Sequence, residues 1–194
     1  MTDIGKRLEA RNQGIESKAR RPLELQEFLQ LLSNIRSSSL NDFHKYRLSA
    51  LLTLQWQAIG RIDEMMKLQF PDIYANLRHK FVLSMKLRWS KNIKTERQLA
   101  EQILVGSRDQ RLCPLLNFVV YMELMGRIHR PFHTTFVFDN PKGHAQARKL
   151  FSQQWKLLQA TSPLTGLLGT HSIRKGASTH AARNGVSREI IIRC

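Results

Sequence analysis

The chain has 194 residues, 42% of them hydrophobic, which suffices to bury the core of one domain and excludes a chain disordered throughout. Its 31 Lys and Arg against 15 Asp and Glu leave a formal charge of +16, a self-repulsion that a polyanion relieves, so nucleic acid is the leading partner. No apolar run approaches the ~20 residues of a membrane span, no basic amphipathic helix marks a membrane-surface protein, and residues 1–21 are polar and mixed in charge, unlike a secretory signal. A soluble intracellular protein is expected.

Residues 1–21 read as a linker or a trailing helix ending in the basic run Lys18-Ala19-Arg20-Arg21. Pro22 and Leu23 open a helical pattern to about residue 35, with Leu25, Phe28, Leu29 and Leu32 as its apolar stripe. Ser37-Ser38-Ser39 and Asn41-Asp42 predict a loop. A second helix from about Phe43 turns Leu48, Leu51, Leu52 and Trp56 inward and stops at Gly60, and a short helix over about residues 63–68 precedes Pro71. The period then changes. Phe81, Leu83, Met85, Leu87 and Trp89 alternate with Val82, Ser84, Lys86, Arg88 and Ser90, which predicts a strand with one apolar face and one polar, partly basic face.

A polar turn at residues 91–97 leads to a second strand near residues 101–105, so a hairpin with lysines at its tip is predicted. Pro114 begins a helix carrying Leu115, Phe118, Val119 and Met122 that ends near Gly126, and Phe136-Val137-Phe138 suggests a short extended piece. Residues 146–160 predict another helix. The last elements are a helix starting at His171 behind Thr170 as its N-cap, the turn Asn184-Gly185 and a short helix from Arg188. No internal repeat is visible. The predicted class is α+β, mostly α, with a small antiparallel hairpin or sheet inserted among helices.

Cys113 and Cys194 lie far apart without a Cys-x-x-Cys, so neither a zinc finger nor a disulfide framework is supported, and both are expected to be reduced thiols. His129 and His133 have an i, i+4 spacing, but Pro131 between them breaks the helix that would align them on a metal. No metal and no cofactor is expected.

Three features could carry chemistry. In His171-Ser172-Ile173-Arg174 two phosphate-seeking groups three apart share one helix face, at a helix start whose free N–H groups attract anions. In Gly60-Arg61-Ile62-Asp63-Glu64 an arginine stands at a helix start; it binds phosphate bidentately and keeps its charge at any relevant pH. The bland reading pairs Arg61 with Asp63 or Glu64 at the surface. The third feature is a hairpin-tip lysine, Lys91 or Lys94, which alone would be merely solvated.

The order of these features is more specific than any one of them. It resembles the catalytic domain of the tyrosine recombinases, the phage-integrase family: an arginine in a Gly-(Leu/Ile)-Arg-x-x-Glu context, a β-hairpin lysine, His-x-x-Arg, a further His or Trp, and a tyrosine nucleophile. Ala58-Ile59-Gly60-Arg61-Ile62-Asp63-Glu64 matches the first block, Trp89-Ser90-Lys91 the hairpin, and His171-Ser172-Ile173-Arg174-Lys175-Gly176-Ala177 the third, followed by a Gly185-Val186 turn. Together with Cys113-Pro114-Leu115, the wording looks closest to the recombinases of eukaryotic mobile elements, the cryptons and DIRS-like retroelements.

The resemblance spans about residues 22–194 and implies an integrase-like core that cleaves DNA through a covalent 3′-phosphotyrosyl link, without metal or other cofactor. It implies that Arg61 and Arg174 clamp the phosphate and that Lys91, or else Lys94, protonates the leaving 5′-oxygen. His171 would hydrogen-bond the phosphate or help deprotonate the nucleophile, Glu64 would orient His171 or Arg61, Asp63 would support them, and Lys86, Arg88 and Lys175 would touch DNA. The partner implied is double-stranded DNA, with self-association on it and no membrane. The location implied is the nucleus for a eukaryotic mobile element, and otherwise the cytoplasm or nucleoid.

One departure stands out: Tyr46, Tyr74 and Tyr121 all precede His171, whereas the family nucleophile follows His-x-x-Arg. The second His or Trp position is also missing. The expectation is a catalytic domain over residues 22–194 that is incomplete at its C-terminus, a truncated fragment or decayed copy, with residues 1–21 the linker or end of a missing core-binding domain. The rival reading is a non-catalytic DNA binder, since Ala181-Ala182-Arg183-Asn184-Gly185-Val186-Ser187 also looks like the turn of a helix-turn-helix. An RNA-binding scaffold lacks its RNP and Gly-x-x-Gly signatures.

Overall fold

The structure is a computed structural model and describes residues 20–87, 101–127, 135–139, 142–161, 164, 166 and 168–193. Its helices are α1 (Leu25–Ser37), α2 (Asp42–Gln57), α3 (Ile62–Met66), α4 (Pro114–Arg127), α5 (His144–Thr161), α6 (Thr170–Arg183) and α7 (Arg188–Arg193), and its strands are β1 (Ile73–Ala75), β2 (Leu83–Lys86) and β3 (Glu101–Leu104). This is the mostly helical class with a small antiparallel sheet that the sequence predicts.

Helix α2 is the axis of the core. Asn41 caps it by accepting from the His44 N–H at 3.0 Å. Residues 47–55 are all buried, because α1, α4 and α6 pack around it. The predicted single inward face is therefore too narrow: Ala50 and Leu54 are as buried as Leu48, Leu51 and Leu52, while Trp56 is half-buried and stacks on Phe28 of α1 at 4.4 Å. Polar groups caught in this axis find partners. Thr53 Oγ1 donates to the Ser49 carbonyl at 2.7 Å, and Arg47 donates to the Phe138 carbonyl.

The inward stripe of α4 is Asn117, Phe118, Tyr121 and Met125, a 3.6-residue period centred past the predicted one. Val119, expected inside, is 58% exposed because it falls on the far side of that stripe. Phe136-Val137-Phe138 forms no strand: Phe136 makes one isolated bridge to Gln69, the Val137 N–H donates to the Leu68 carbonyl, and both Val137 and Phe138 are fully buried.

The sheet has the order β1-β2-β3, antiparallel throughout, with Leu83 opposite Leu104 and Lys86 opposite Glu101. The predicted hairpin is thus present, but β2 covers only residues 83–86 of the alternating run. Its polar face is not a solvent face: Ser84 is fully buried, its Oγ accepting from Asn76 Nδ2 at 2.9 Å. Phe81, predicted on the apolar face, lies before the strand and is 96% exposed. Strand β1 has three residues, too few to show a period, and escaped prediction. The hairpin tip, with Arg88, Lys91 and Lys94, lies outside the described residues, as do His129, His133 and Cys194.

Residues 20–24 lie along α6. The Leu23 N–H donates to the Ser172 carbonyl at 3.0 Å, and Lys175 Nζ donates to the Arg20 carbonyl at 2.6 Å. The close approach needs a glycine at residue 176, where a Cβ would stand 2.0 Å from the Leu23 carbonyl oxygen; a Cβ on Gly169 would meet only the Arg20 side chain. Thr170 is already the first helical residue, so Gly169, not Thr170, is the N-cap of α6, and its N–H donates to Ser172 Oγ at 3.1 Å. Arg21 pairs with Glu27 at 2.6 Å, and that hydrogen bond holds the Glu27 carboxyl below its ordinary range.

Candidate active site

The end of α2 sets the first arginine. Ile59 has a φ of +49°, a left-handed conformation that a β-branched residue rarely takes, and Gly60 then carries the chain into α3. Arg61 is the N-cap of α3 with extended backbone. Its N–H donates to Glu64 Oε2 at 2.7 Å, and its Nη1 donates to Glu64 Oε1, also at 2.7 Å. Glu64 thus closes the helix start and grips the guanidinium at once.

Helix α6 brings the second arginine to the same carboxylate, with Arg174 Nη1 3.7 Å from Glu64 Oε2. The Glu64 side chain is only 5% exposed, whereas those of Arg61 and Arg174 are 31% and 24% exposed. One buried negative charge stands between two positive ones, and the surplus is one positive charge with guanidinium surface open to solvent. The bland reading of Arg61 is half right: it does pair with Glu64, but not at the surface and not alone. Two arginine forks held this way suit a phosphate or another tetrahedral oxyanion, which accepts hydrogen bonds from both.

A residue that the sequence reading missed joins the two segments. Gln55 of α2 is fully buried, and its Nε2 donates to the Gly60 carbonyl at 3.3 Å and to the Thr170 carbonyl at 3.0 Å. A single amide therefore ties the turn before Arg61 to the first residue of α6. The only sequence signal was an amide, one of two with Gln57, after a mostly apolar stretch of helix.

The remaining site candidates are scattered. His171 is exposed on the first turn of α6, and Lys175 is exposed on the same helix, tethered to residue 20. Glu64 hydrogen-bonds Arg61 and stands at ion-pair distance from Arg174 rather than holding the histidine. Asp63 turns away to an exposed pair with Arg148 of α5 at 2.5 Å. One turn earlier on α5, burial pushes the His144 imidazole below its ordinary range. Lys86 lies over the Tyr74 ring, its Nζ 5.1 Å from the centroid. Among the described residues no group of three or more His, Cys, Asp or Glu is placed to hold a metal ion, and no helix is long and apolar enough to cross a membrane.

The family model described as the phage integrase family matches residues 21–193. No curated protein matches the chain in sequence. Among solved structures, the chain is similar to the XerH site-specific recombinase bound to its difH substrate in a pre-cleavage complex, with a TM-score of 0.66, 16% identity, and 90% of this chain and 47% of that one covered. It is also similar to the XerA recombinase (TM-score 0.60, 16% identity, 92% and 55% covered) and to the Tn1549 transposon integrase in complex with circular intermediate DNA (TM-score 0.55, 15% identity, 92% and 57% covered). The chain thus spans about half the length of these structures, and at such identities the likeness shows the shared fold.

Proposed function

The chain belongs to the phage integrase family, and on that premise we propose that it is the DNA-binding catalytic domain of a tyrosine recombinase, which breaks and rejoins strands through a 3′-phosphotyrosyl link. The observation that carries this reading is the Arg61-Glu64-Arg174 constellation. When a tyrosine oxygen attacks the phosphorus, negative charge grows on the non-bridging oxygens, and preorganised donors aimed at it supply the dominant stabilisation of phosphoryl transfer. Arg61 and Arg174 are those donors, and Glu64 and Gln55 fix their spacing. As the bond to the 5′-oxygen breaks, that oxygen takes a proton from Lys91, with Lys94 the second choice. His171, exposed one turn before Arg174, hydrogen-bonds the phosphate or helps deprotonate the tyrosine.

The attacking tyrosine is not among the three in the chain. Tyr121 is fully buried and its hydroxyl donates to the Val137 carbonyl at 2.9 Å, Tyr46 packs against the core, and Tyr74 sits in the sheet beneath Lys86. The 194-residue chain is therefore expected to give no detergent-resistant complex on nicked DNA that traps the phosphotyrosyl intermediate, and a tyrosine-bearing segment supplied in cis or by a partner subunit should restore it. An adduct formed by the chain itself would force a new assignment of the nucleophile.

Binding to duplex DNA is expected to tolerate sequence and to weaken with salt, log affinity falling against log salt at about −0.9 per phosphate contacted. The +16 charge supports this, and a titration that finds salt-independent binding, or none at low salt, counts against any DNA-facing role. Crypton or DIRS-like origin is the finer reading, and with it a nuclear location; it rests on the wording of the blocks at Arg61, Cys113 and His171. The helix-turn-helix alternative accounts for the turn at Asn184-Gly185, but it gives the buried Glu64 and its two arginines no task.

A further inference from the structure

We propose that the β1–β2 turn, residues 76–81, is a second DNA-contacting element, with Arg78 and Lys80 on backbone phosphates and Phe81, flanked by Leu77, wedged at a base step from the minor groove. The proposal rests on the reading of the chain as a DNA-binding domain but uses none of the Arg61-Glu64-Arg174 machinery. Leu77 and Phe81 are 99% and 96% exposed, and no other exposed large apolar side chain among the described residues passes 59%. Phe81 also has a φ of +64°, a conformation that favours glycine or asparagine. A bulky aromatic held there gains nothing from the folded domain, neither burial nor an easy backbone, so its use is to be sought in a partner.

The turn is built to keep its shape. Asn76 Oδ1 accepts from the N–H groups of Arg78 and His79, both at 2.8 Å, while Asn76 Nδ2 is anchored on the buried Ser84 hydroxyl. Ordering is thus largely done before any partner arrives, which lowers the entropic cost of binding. Charge selects the partner. No Asp or Glu lies between Asp72 and Glu96, and that stretch holds six Lys and Arg, Arg78 and Lys80 among them. Cations on phosphates beside an apolar wedge between base steps is a recurrent mode of minor-groove contact. The turn sits at the opposite end of β2 from the β2–β3 connection, about 13 Å along four strand residues, so it adds a contact that the catalytic hairpin does not make.

The test is fluorescence anisotropy of the 194-residue chain on a labelled 30-base-pair duplex of mixed sequence across a salt series, with thermal melts alongside. Neutralising Arg78→Gln and Lys80→Gln together should reduce the magnitude of the salt slope by about 1.8, two contacts at about 0.9 each. Phe81→Gly should weaken binding about fivefold or more with the slope unchanged, while its melting temperature stays level or rises as the backbone strain is relieved. A parent that fails to bind would sink the DNA-binding reading itself. A parent that binds, with both variants within twofold of it and the same slope, overturns the proposal for the turn alone. Loss of binding by Phe81→Gly with a lowered melting temperature also overturns it, since the residue would then act through the fold.

Discussion

Arg61→Ala or Arg174→Ala, in a form of the protein supplied with a downstream tyrosine, is expected to lower DNA cleavage by ~10²-fold or more, the scale on which loss of one transition-state donor is felt. Duplex affinity should change far less, because one arginine among 31 basic residues supplies only a small share of the phosphate attraction. The two guanidiniums face a common carboxylate from α3 and α6, so removing either leaves the other within ion-pair distance of Glu64, and a thermal melt of each variant separates lost cleavage from lost folding. The check is the single-turnover rate of covalent complex formation on a nicked substrate, beside an anisotropy titration of the same variants. Two folded variants that cleave at the parent's rate would remove the clamp from the mechanism.

Glu64→Ala is expected to destabilise the fold by about 2–4 kcal/mol. Breaking a buried ion pair costs roughly 3–5 kcal/mol because a charge is stranded, but Arg61 and Arg174 are each part-exposed and recover some hydration, which trims the figure. The lost hydrogen bond to the Arg61 N–H adds a helix-cap penalty of about 1 kcal/mol within that range. Glu64→Gln keeps the shape but turns an amide toward cations, and it should recover only part of the loss. Urea melts with an unchanged slope measure the difference directly. A Glu64→Ala midpoint equivalent to less than about 0.5 kcal/mol would show that the two arginines are held apart by something other than this carboxylate.

Much of the architecture is local and could be read from the chain. The helices over α1, α2, α4, α5 and α6 follow apolar spacing and turn residues within one segment, and the hairpin strands follow alternation and a polar turn. The candidate site was read as an ordered set, Arg61 and Glu64, then lysines, then His171 and Arg174, from the resemblance to a family; of that set the structure brings Arg61, Glu64 and Arg174 together, while the lysines lie outside the described residues. Periodicity failed where burial came from more than one side. Helix α2 has no outer face over residues 47–55, Ser84 is buried on the nominally polar face of β2, and the stripe of α4 turns Val119 outward in favour of Tyr121.

What the sequence by itself determined is where the main helices and the two hairpin strands lie and which charged groups the chemistry has at its disposal, since hydrogen bonding and side-chain spacing within a segment decide the first and composition the second. Which of those groups meet was decided only by the tertiary structure. Asp63 and Glu64 are neighbours in the chain, yet one is drawn outward to Arg148 and the other is buried between Arg61 and Arg174. That difference is set by where the fold brings Arg148 of α5 and Arg174 of α6, and by the Gln55 amide that binds Gly60 to Thr170. A carboxylate can stay charged away from water only where the fold delivers its counter-charges, and the fold, unlike the local pattern, depends on contacts between segments more than a hundred residues apart.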